Sequence, residues 1–395
     1  MVSRAGAVAI NGGDLALGGG LLALLRPALD LLAPGGVVAL RSSSAGVRHD
    51  LPSWCRFERH TYLECEPQSD GSDLHLVGRG RFAVAYATDA ATGEADPHTG
   101  FAPLGARVER GGPRYPFTIN RRDSAPPPQT TRQLYDQATL AQWDAARDIP
   151  WDRVQPLSPI VERAVGQVMT FLAENELSAL YVPSKFVARL HPAYAETAMF
   201  LATQMMDEAR HIDVFLRRAR AGGGALGVSS VTTSRSLLSL LELEDFTEAA
   251  FLLSVLGEGT FLDLLRYIER HAPDEVTAEI ARRTRADESR HVHFGVMHVR
   301  QALGCDAALA RRLEETVRQR AATLHGVSGV PAPIQDALTI LAAGSDEPGA
   351  VARGHEAFRE LLSDMHAGRL KRLVHAGFTP AQAQLLSELH TPNFM

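Results

Sequence analysis

Apolar and polar positions follow two different rhythms along the chain. Before about residue 80 the apolar positions come in short runs separated by Gly, Pro and polar turns. Ala7-Val8-Ala9-Ile10 predicts a strand, and 21–32 carries helical periodicity that Ala33-Pro34-Gly35-Gly36 stops. Val37-Val38-Ala39-Leu40 reads as a buried strand, followed by a short helix over 47–56 and two β-prone runs, 61–65 and 73–77, split by Gly71. Together these predict a small α/β domain over 1–81. Residues 82–130 are rich in Gly, Pro, Asp and Thr and end in Ala125-Pro126-Pro127-Pro128, which predicts a linker or irregular arm.

From about residue 131 to residue 395 the pattern is helical almost without interruption. Long helices are expected over 158–190, 193–221, 233–271 and 274–303, and shorter ones over 307–325, 332–344, 349–376 and 379–390. Pro192 and Pro273 sit where first-turn prolines are tolerated, and Gly304 sits where a helix-ending glycine belongs. Four helices of this size suit a bundle roughly 45 Å long. The expected fold is therefore α+β overall: a small α/β domain, then a large all-α four-helix bundle with extra C-terminal helices. Gly222-Gly223-Gly224-Ala225-Leu226-Gly227 matches GxGxxG, but it follows a helix instead of a strand, so it does not predict a dinucleotide loop.

Composition narrows the class. With 395 residues, 45% hydrophobic and 22% charged, the chain is long and apolar enough to bury full cores, which excludes disordered, collagen-like and disulfide-scaffold classes. A formal net charge of −6 gives no electrostatic case for nucleic-acid binding. No apolar run reaches the roughly 18–20 residues that cross a bilayer, and the first residues lack a basic region and a cleavage site. Cys55, Cys65 and Cys305 are scattered with no CxxC pair, which suits the cytoplasm and excludes a cysteine-built zinc or iron–sulfur site.

Two segments carry the chemistry: Met206-Asp207-Glu208-Ala209-Arg210-His211 and Ala286-Asp287-Glu288-Ser289-Arg290-His291. A single ExxH is common by chance, whereas two copies sharing a flanking Asp and Arg are not. Residues i and i+3 lie on one helix face, so each Glu and His can reach one ion or two adjacent ones. Each copy is preceded by a helix holding a glutamate among apolar neighbours, Glu176 and Glu258. Glu176 is favoured over Glu174 because its surroundings are more apolar. Glu176 and Glu258 are 82 positions apart, and His211 and His291 are 80 apart, which predicts a repeated helix pair with six ligands converging on its axis.

Charge decides between this reading and ordinary surface pairs. Four carboxylates turned into a bundle would each cost several kcal/mol if uncompensated, and two divalent cations cancel them. Oxygen-rich ligation with one His per metal suits two iron ions, or iron with manganese, better than zinc or copper. Asp207 and Asp287 are expected to accept the ring N–H of the His on the opposite helix, balanced by Arg210 and Arg290. Gln204, Met205, Phe215 and Tyr181 lie near the site by helical spacing and are candidates to line a substrate pocket. His293 is expected to point away from it, and His271 to sit as a favourable charge at a helix end.

Region 134–395 resembles the ferritin-like diiron oxygenases, particularly the bacterial aminobenzoate N-oxygenase group. The resemblance rests on Tyr135-Asp136, Gln142-Trp143-Asp144, Ile149-Pro150-Trp151, Glu176-Leu177-Ser178-Ala179-Leu180, the two DExRH copies, Gly257-Glu258-Gly259 and Phe294-Gly295-Val296. It implies two irons bridged by carboxylates, reductive activation of O₂ and oxygen transfer to a bound small organic substrate. Thr284 stands where that group often has an extra His, which argues against a seventh ligand and N-oxygenation. Phe215 stands where the ribonucleotide reductase small subunit has its radical Tyr, which argues against radical storage. No flavin, nicotinamide or iron–sulfur motif is present, so electrons are expected from an external reductase or ferredoxin.

The N-terminal domain resembles the TusA/SirA-like sulfur carriers through Ala33-Pro34-Gly35-Gly36, Arg48-His49-Asp50-Leu51-Pro52-Ser53-Trp54-Cys55 and the strand after His60. That family's nucleophile opens the first helix, where this chain has Gly18-Gly19-Gly20-Leu21. Cys55 reads as a buried core thiol. The domain is thus expected to recruit a protein partner or present substrate. Three readings stand at this point: an O₂-dependent diiron oxygenase, a diiron or iron–manganese oxidase or desaturase without oxygen insertion, and a metal-stabilised binding protein.

Overall fold

A computed structural model describes residues 7–83, 92–94, 100–102, 105–109, 112–113, 115–119, 128–324 and 330–390. The chain divides into two compact units, Met1–Tyr115 and Pro116–Met395.

In the first unit, four strands form one sheet: β1 (Val8–Asn11), β2 (Val37–Ser42), β3 (Thr61–Pro67) and β4 (Asp73–Gly78). Their order is β1-β2-β4-β3, with β1 parallel to β2 and the other pairs antiparallel. Two helices, α1 (Leu21–Asp30) and α2 (Val47–Phe57), supply the crossovers. Leu21, Leu25 and Leu29 recur every fourth residue, so they share a face of α1. They bury against Val38, Leu40, Val47, Leu51 and Val77. Arg79 donates Nη1 to the carbonyls of Leu29, Asp30 and Leu32, at 2.9, 2.7 and 2.8 Å, and so satisfies the end of α1. Cys55 is fully buried in this core, and burial pushes its thiol up to about 12. Within the stretch read as a linker, β5 (Thr92–Glu94) pairs with β6 (Arg107–Glu109); Ala125–Pro127 lie outside the described residues.

The second unit is helical: α3 (Pro128–Leu140), α4 (Pro159–Val187), α5 (Ala195–Arg220), α6 (Val231–Leu241), α7 (Phe246–Ala250), a π-helical segment (Phe251–Glu258), α8 (Gly259–Arg270), α9 (Glu275–Cys305), α10 (Leu309–Thr323), α11 (Ala332–Ala343), α12 (Pro348–His375) and α13 (Pro380–Leu389). Helices α4 and α5 pack as one pair and α8 and α9 as another; α11 packs on α4, and α12 on α8. One apolar core runs through them. Gly222 and Gly223 take φ of 63° and 84°, a left-handed turn that follows the end of α5.

The helix expected over 233–271 is broken. Lys185 Nζ donates to the carbonyls of Leu241 and Leu243 and to Glu244 Oε1, which terminates α6 from outside. Asp245 then caps α7 by accepting from the N–H of Thr247 and Glu248, at 2.9 and 3.0 Å. The π-helical segment was also not expected; it carries an extra residue per turn and sets the direction of Glu258 at its end. Two ends differ from expectation as well. Pro273 precedes the α9 cap, Asp274, which accepts from Thr277 N–H at 2.7 Å, and Gly304 lies inside the last turn of α9.

His298 of α9 gives the bundle a pH dependence. It is fully buried against Phe246 and Phe294, with Nε2 3.0 Å from Thr247 Oγ1. Burial lowers its pKa from 6.5 to about 4 despite the opposing pull of Asp245. Between these values the unfolded chain binds a proton that the folded chain does not. The stabilisation is therefore complete above pH 6.5 and falls by about 3 kcal/mol as pH drops to 4. Urea unfolding of wild type and His298→Phe at pH 7 and pH 5 is expected to differ in slope, with the variant losing less stability on acidification.

Candidate metal centre

Six side chains meet in the middle of the helical unit. Glu176 comes from α4, Glu208 and His211 from α5, Glu258 from the end of the π-helical segment, and Glu288 and His291 from α9. None is more than 3% exposed. They form two groups whose ligand atoms lie within 4.8 Å of one another: Glu176, Glu208, His211 and Glu288, and Glu208, Glu258, Glu288 and His291. Glu208 and Glu288 belong to both.

The oxygens show how they are shared. His211 Nδ1 is 3.3 Å from Glu208 Oε2, 3.3 Å from Glu288 Oε1 and 3.6 Å from Glu176 Oε2. His291 Nδ1 is 3.0 Å from Glu208 Oε1 and 3.4 Å from Glu288 Oε2. Each shared carboxylate thus turns one oxygen to each imidazole, the arrangement a carboxylate bridging two cations needs.

Outside this layer the pattern is reciprocal. His211 Nε2 lies 3.1 Å from Asp287 Oδ2, and His291 Nε2 lies 3.2 Å from Asp207 Oδ2. Arg210 pairs with Asp207 and also reaches Asp287 at 3.2 Å, while Arg290 pairs with Asp287 and reaches Asp207 at 3.2 Å. A ring nitrogen donating to a carboxylate leaves the other with its lone pair turned inward. Two further residues join this brace that spacing alone did not single out. Trp143 Nε1 donates to Asp287 Oδ2 at 2.8 Å with the Arg210 guanidinium over its ring, and Gln142 accepts from Arg210 at 2.7 Å and donates to Asp207 at 3.3 Å. They follow α3, and only their presence in the Gln142-Trp143-Asp144 motif marked them in the sequence. Asp287→Asn is expected to weaken metal binding at least about tenfold, within the ~10–100-fold range for such outer partners, as read by competition with a chromogenic chelator.

Electrostatics show the charge imbalance. Burial, then repulsion from Glu208 and Glu288, pushes Glu176 well above the usual carboxylate range, and burial with the same two neighbours does so to Glu258. Burial opposes the charge on Glu208 too, yet His291 and His211 hold it well below that range. Both imidazoles are raised: burial is outweighed by Asp287 and the glutamates at His211, and by Glu208, Glu288 and Asp207 at His291. Protons alone satisfy the cluster poorly. Glu176 Oε1, Glu208 Oε1, Glu258 Oε2, both oxygens of Glu288 and His291 Nδ1 are buried without a hydrogen-bond partner. A dominantly oxygen donor set with one imidazole per group, and this many unsatisfied lone pairs, fits two divalent cations.

No family model and no curated protein matches the chain. Solved structures do. One variant of an R2-like ligand-binding oxidase with aerobically reconstituted Mn/Fe cofactor is 20% identical, with a TM-score of 0.49 over 62% of this chain and 93% of that one. The R2-like ligand-binding oxidase with aerobically reconstituted Mn/Fe cofactor after a long soak is 20% identical, with a TM-score of 0.47 over 67% of this chain and 94% of that one. The same oxidase with its metal cofactor after photoconversion is 19% identical, with a TM-score of 0.45 over 67% and 94%.

The remaining candidates sort by burial. Gln204 Nε2 donates to Glu258 Oε1 at 3.0 Å and, with Val182, Phe186, Leu201 and Ser254, lines a cavity of about 20 Å³, enough for a water-sized occupant. Phe215 is buried beside His211, and Met205 is half-buried. Tyr181 is 58% exposed and does not line the site, because five residues past Glu176 is about 140° round the helix. His293 is exposed. His271 ends α8, but burial and Arg270 lower its pKa, so at neutral pH it is an uncharged cap.

Proposed function

We propose that this protein is an O₂-dependent non-haem dimetal oxidoreductase, an oxygenase acting on a small organic substrate with electrons supplied from outside. The observation that carries this reading is the pair of four-donor groups sharing Glu208 and Glu288 in a buried site. Glu176 and His211 would complete one metal position, Glu258 and His291 the other. Iron at both, or iron with manganese, would supply one-electron redox chemistry toward O₂.

The protein's own groups have definite tasks. Asp207 and Asp287 hold the imidazoles with Nδ1 turned inward, and Arg210 and Arg290 pair with those aspartates from the other side. Gln204 fixes one oxygen of Glu258 at the edge of the small cavity. The surrounding Phe and Leu side chains exclude bulk water, which protects a reactive centre from side reactions. A reductase or ferredoxin would deliver electrons. The first unit, TusA-like in its motifs, would act as a recruiting or substrate-presenting module within the division 1–81, 82–130 and 131–395. Among the described residues no helix is long and apolar enough to cross a membrane, and the cytoplasm is the compartment proposed.

The test is reaction of the anaerobically iron-loaded protein with isotope-labelled O₂. Rapid oxidation with label entering an organic product supports an oxygenase. Oxidation without label in product replaces it with an oxidase or desaturase, and failure to react with O₂ leaves a metal-stabilised binding protein.

A further inference from the structure

The first unit carries a cluster that this chemistry does not use. On the β3–β4 ladder Cys65 stands opposite His75, and Asp73 lies two residues away on the same face of β4. Cys65, Asp73 and His75 each bring a ligand atom within 4.8 Å of the other two. His75 is fully buried; its Nδ1 is 2.9 Å from the Tyr62 hydroxyl, and its Nε2 has no hydrogen-bond partner. Arg48 grips both oxygens of Asp73, with Nε 2.9 Å from Oδ2, and also bears on the Cys65 sulfur.

We propose that Cys65, Asp73 and His75 form a mononuclear site for a thiophilic divalent cation of the zinc class; the lack of a CxxC pair speaks against a site built from several cysteines, whereas this one takes a single sulfur. A thiolate, an imidazole and a carboxylate are the donor types such an ion takes, and three of them leave a fourth position for water. A bound divalent ion would take Cys65 as its thiolate, releasing the proton, so that the thiolate and the Asp73 carboxylate balance the ion's two charges. A carboxylate oxygen already bonded by Arg48 keeps a second lone pair for a metal, and Arg48, with half its side chain exposed, remains as an outer partner. Tyr62 fixes the ring orientation. The two sites would then sort ions by softness: oxygen-rich donors for iron or manganese in the helical unit, and a sulfur donor here.

Cobalt(II) titration of the chelator-stripped full chain tests this directly. Every candidate donor of the helical centre is oxygen or nitrogen, and the exposed Cys305 is replaced by Ser in every chain compared, so a thiolate-to-cobalt charge-transfer band in the near ultraviolet reports the Cys65 site. The band is expected to saturate at the intensity of one thiolate–cobalt bond per chain, to bleach when zinc(II) is added, and to be lost with one bound equivalent in Cys65→Ser. Zinc(II) is also expected to raise the melting temperature of the chain that keeps Cys65 more than that of Cys65→Ser, whose fold circular dichroism would check. A chain that keeps Cys65 yet shows no thiolate band, or a band that survives in Cys65→Ser, overturns the proposal. Neither outcome bears on metal binding by the helical centre, which is read separately from iron content.

Discussion

Replacing either Glu208 or Glu288 by alanine is expected to empty both metal positions together, taking metal content from about two ions per chain to near zero and O₂-dependent turnover to background. The reason is geometric. Each of these carboxylates turns one oxygen toward His211 and the other toward His291, so one substitution removes a donor from both groups. Glu176→Ala and Glu258→Ala each remove a donor from one group only, and are expected to leave about one tightly held ion. The stability of the metal-free forms separates lost ligation from lost folding. Glu176 and Glu258 are raised by burial and by the two shared carboxylates, so deleting Glu208 relieves repulsion. The same deletion takes from His211 and His291 a carboxylate they pair with, so metal-free Glu208→Ala should stay folded but melt somewhat below metal-free wild type, and of these two only wild type gains stability when iron is restored. Inductively coupled plasma analysis and calorimetry on the four variants check the pattern. Equal metal loss from Glu176→Ala and Glu208→Ala would show that the oxygens are not shared.

Of the six residues the structure brings together, four were legible because their signal is local, and Glu176 and Glu258 through their apolar neighbours and the repeat distance. Spacing of three places Glu208 with His211 and Glu288 with His291 on one helix face whatever the rest of the chain does. The duplicated Asp and Arg then marked the brace, because a buried His–carboxylate pair needs both. What escaped is what depends on distant partners. Between Leu240 and Phe246 the one local sign of a break is Asp245 with Glu248 three residues on, a helix-start pattern masked by the apolar rhythm that continues through Leu243; what ends α6 there is Lys185, reaching from α4. The π-helical segment escaped for the opposite reason. Phe251-Leu252-Leu253 and Val255-Leu256 are apolar on every side, so their pattern has no period from which an extra residue per turn could be read. Trp143 and Gln142 lie past the end of α3, where no periodicity fixes the direction of a side chain, and their bonds to Asp287 and Asp207 exist only once the bundle has formed.

The largest effect on stability is expected at Arg218, two turns past His211 on α5. Arg218 is fully buried, and its guanidinium is divided among three side chains of two helices. Nη1 donates to Glu162 Oε1 on α4 at 2.8 Å, Nη2 to Asp274 Oδ2 at 2.7 Å, and Nε to Thr277 Oγ1 of α9 at 2.8 Å. Asp274 also caps α9 through Thr277 N–H, so the same carboxylate starts one helix and ties it to another. Arg218→Met keeps most of the apolar stem but leaves Glu162 and Asp274, 6% and 9% exposed, facing each other without a cation. Breaking a buried ion pair from one side costs about 3–5 kcal/mol, and here one arginine serves two carboxylates, so a loss at the upper end of that range is expected in urea unfolding. The triple replacement Arg218→Met, Glu162→Leu, Asp274→Asn should recover most of it, because no charge remains buried and asparagine still caps α9. Recovery would locate the loss in stranded charge; if the triple variant is as unstable as Arg218→Met, the guanidinium acts through packing alone.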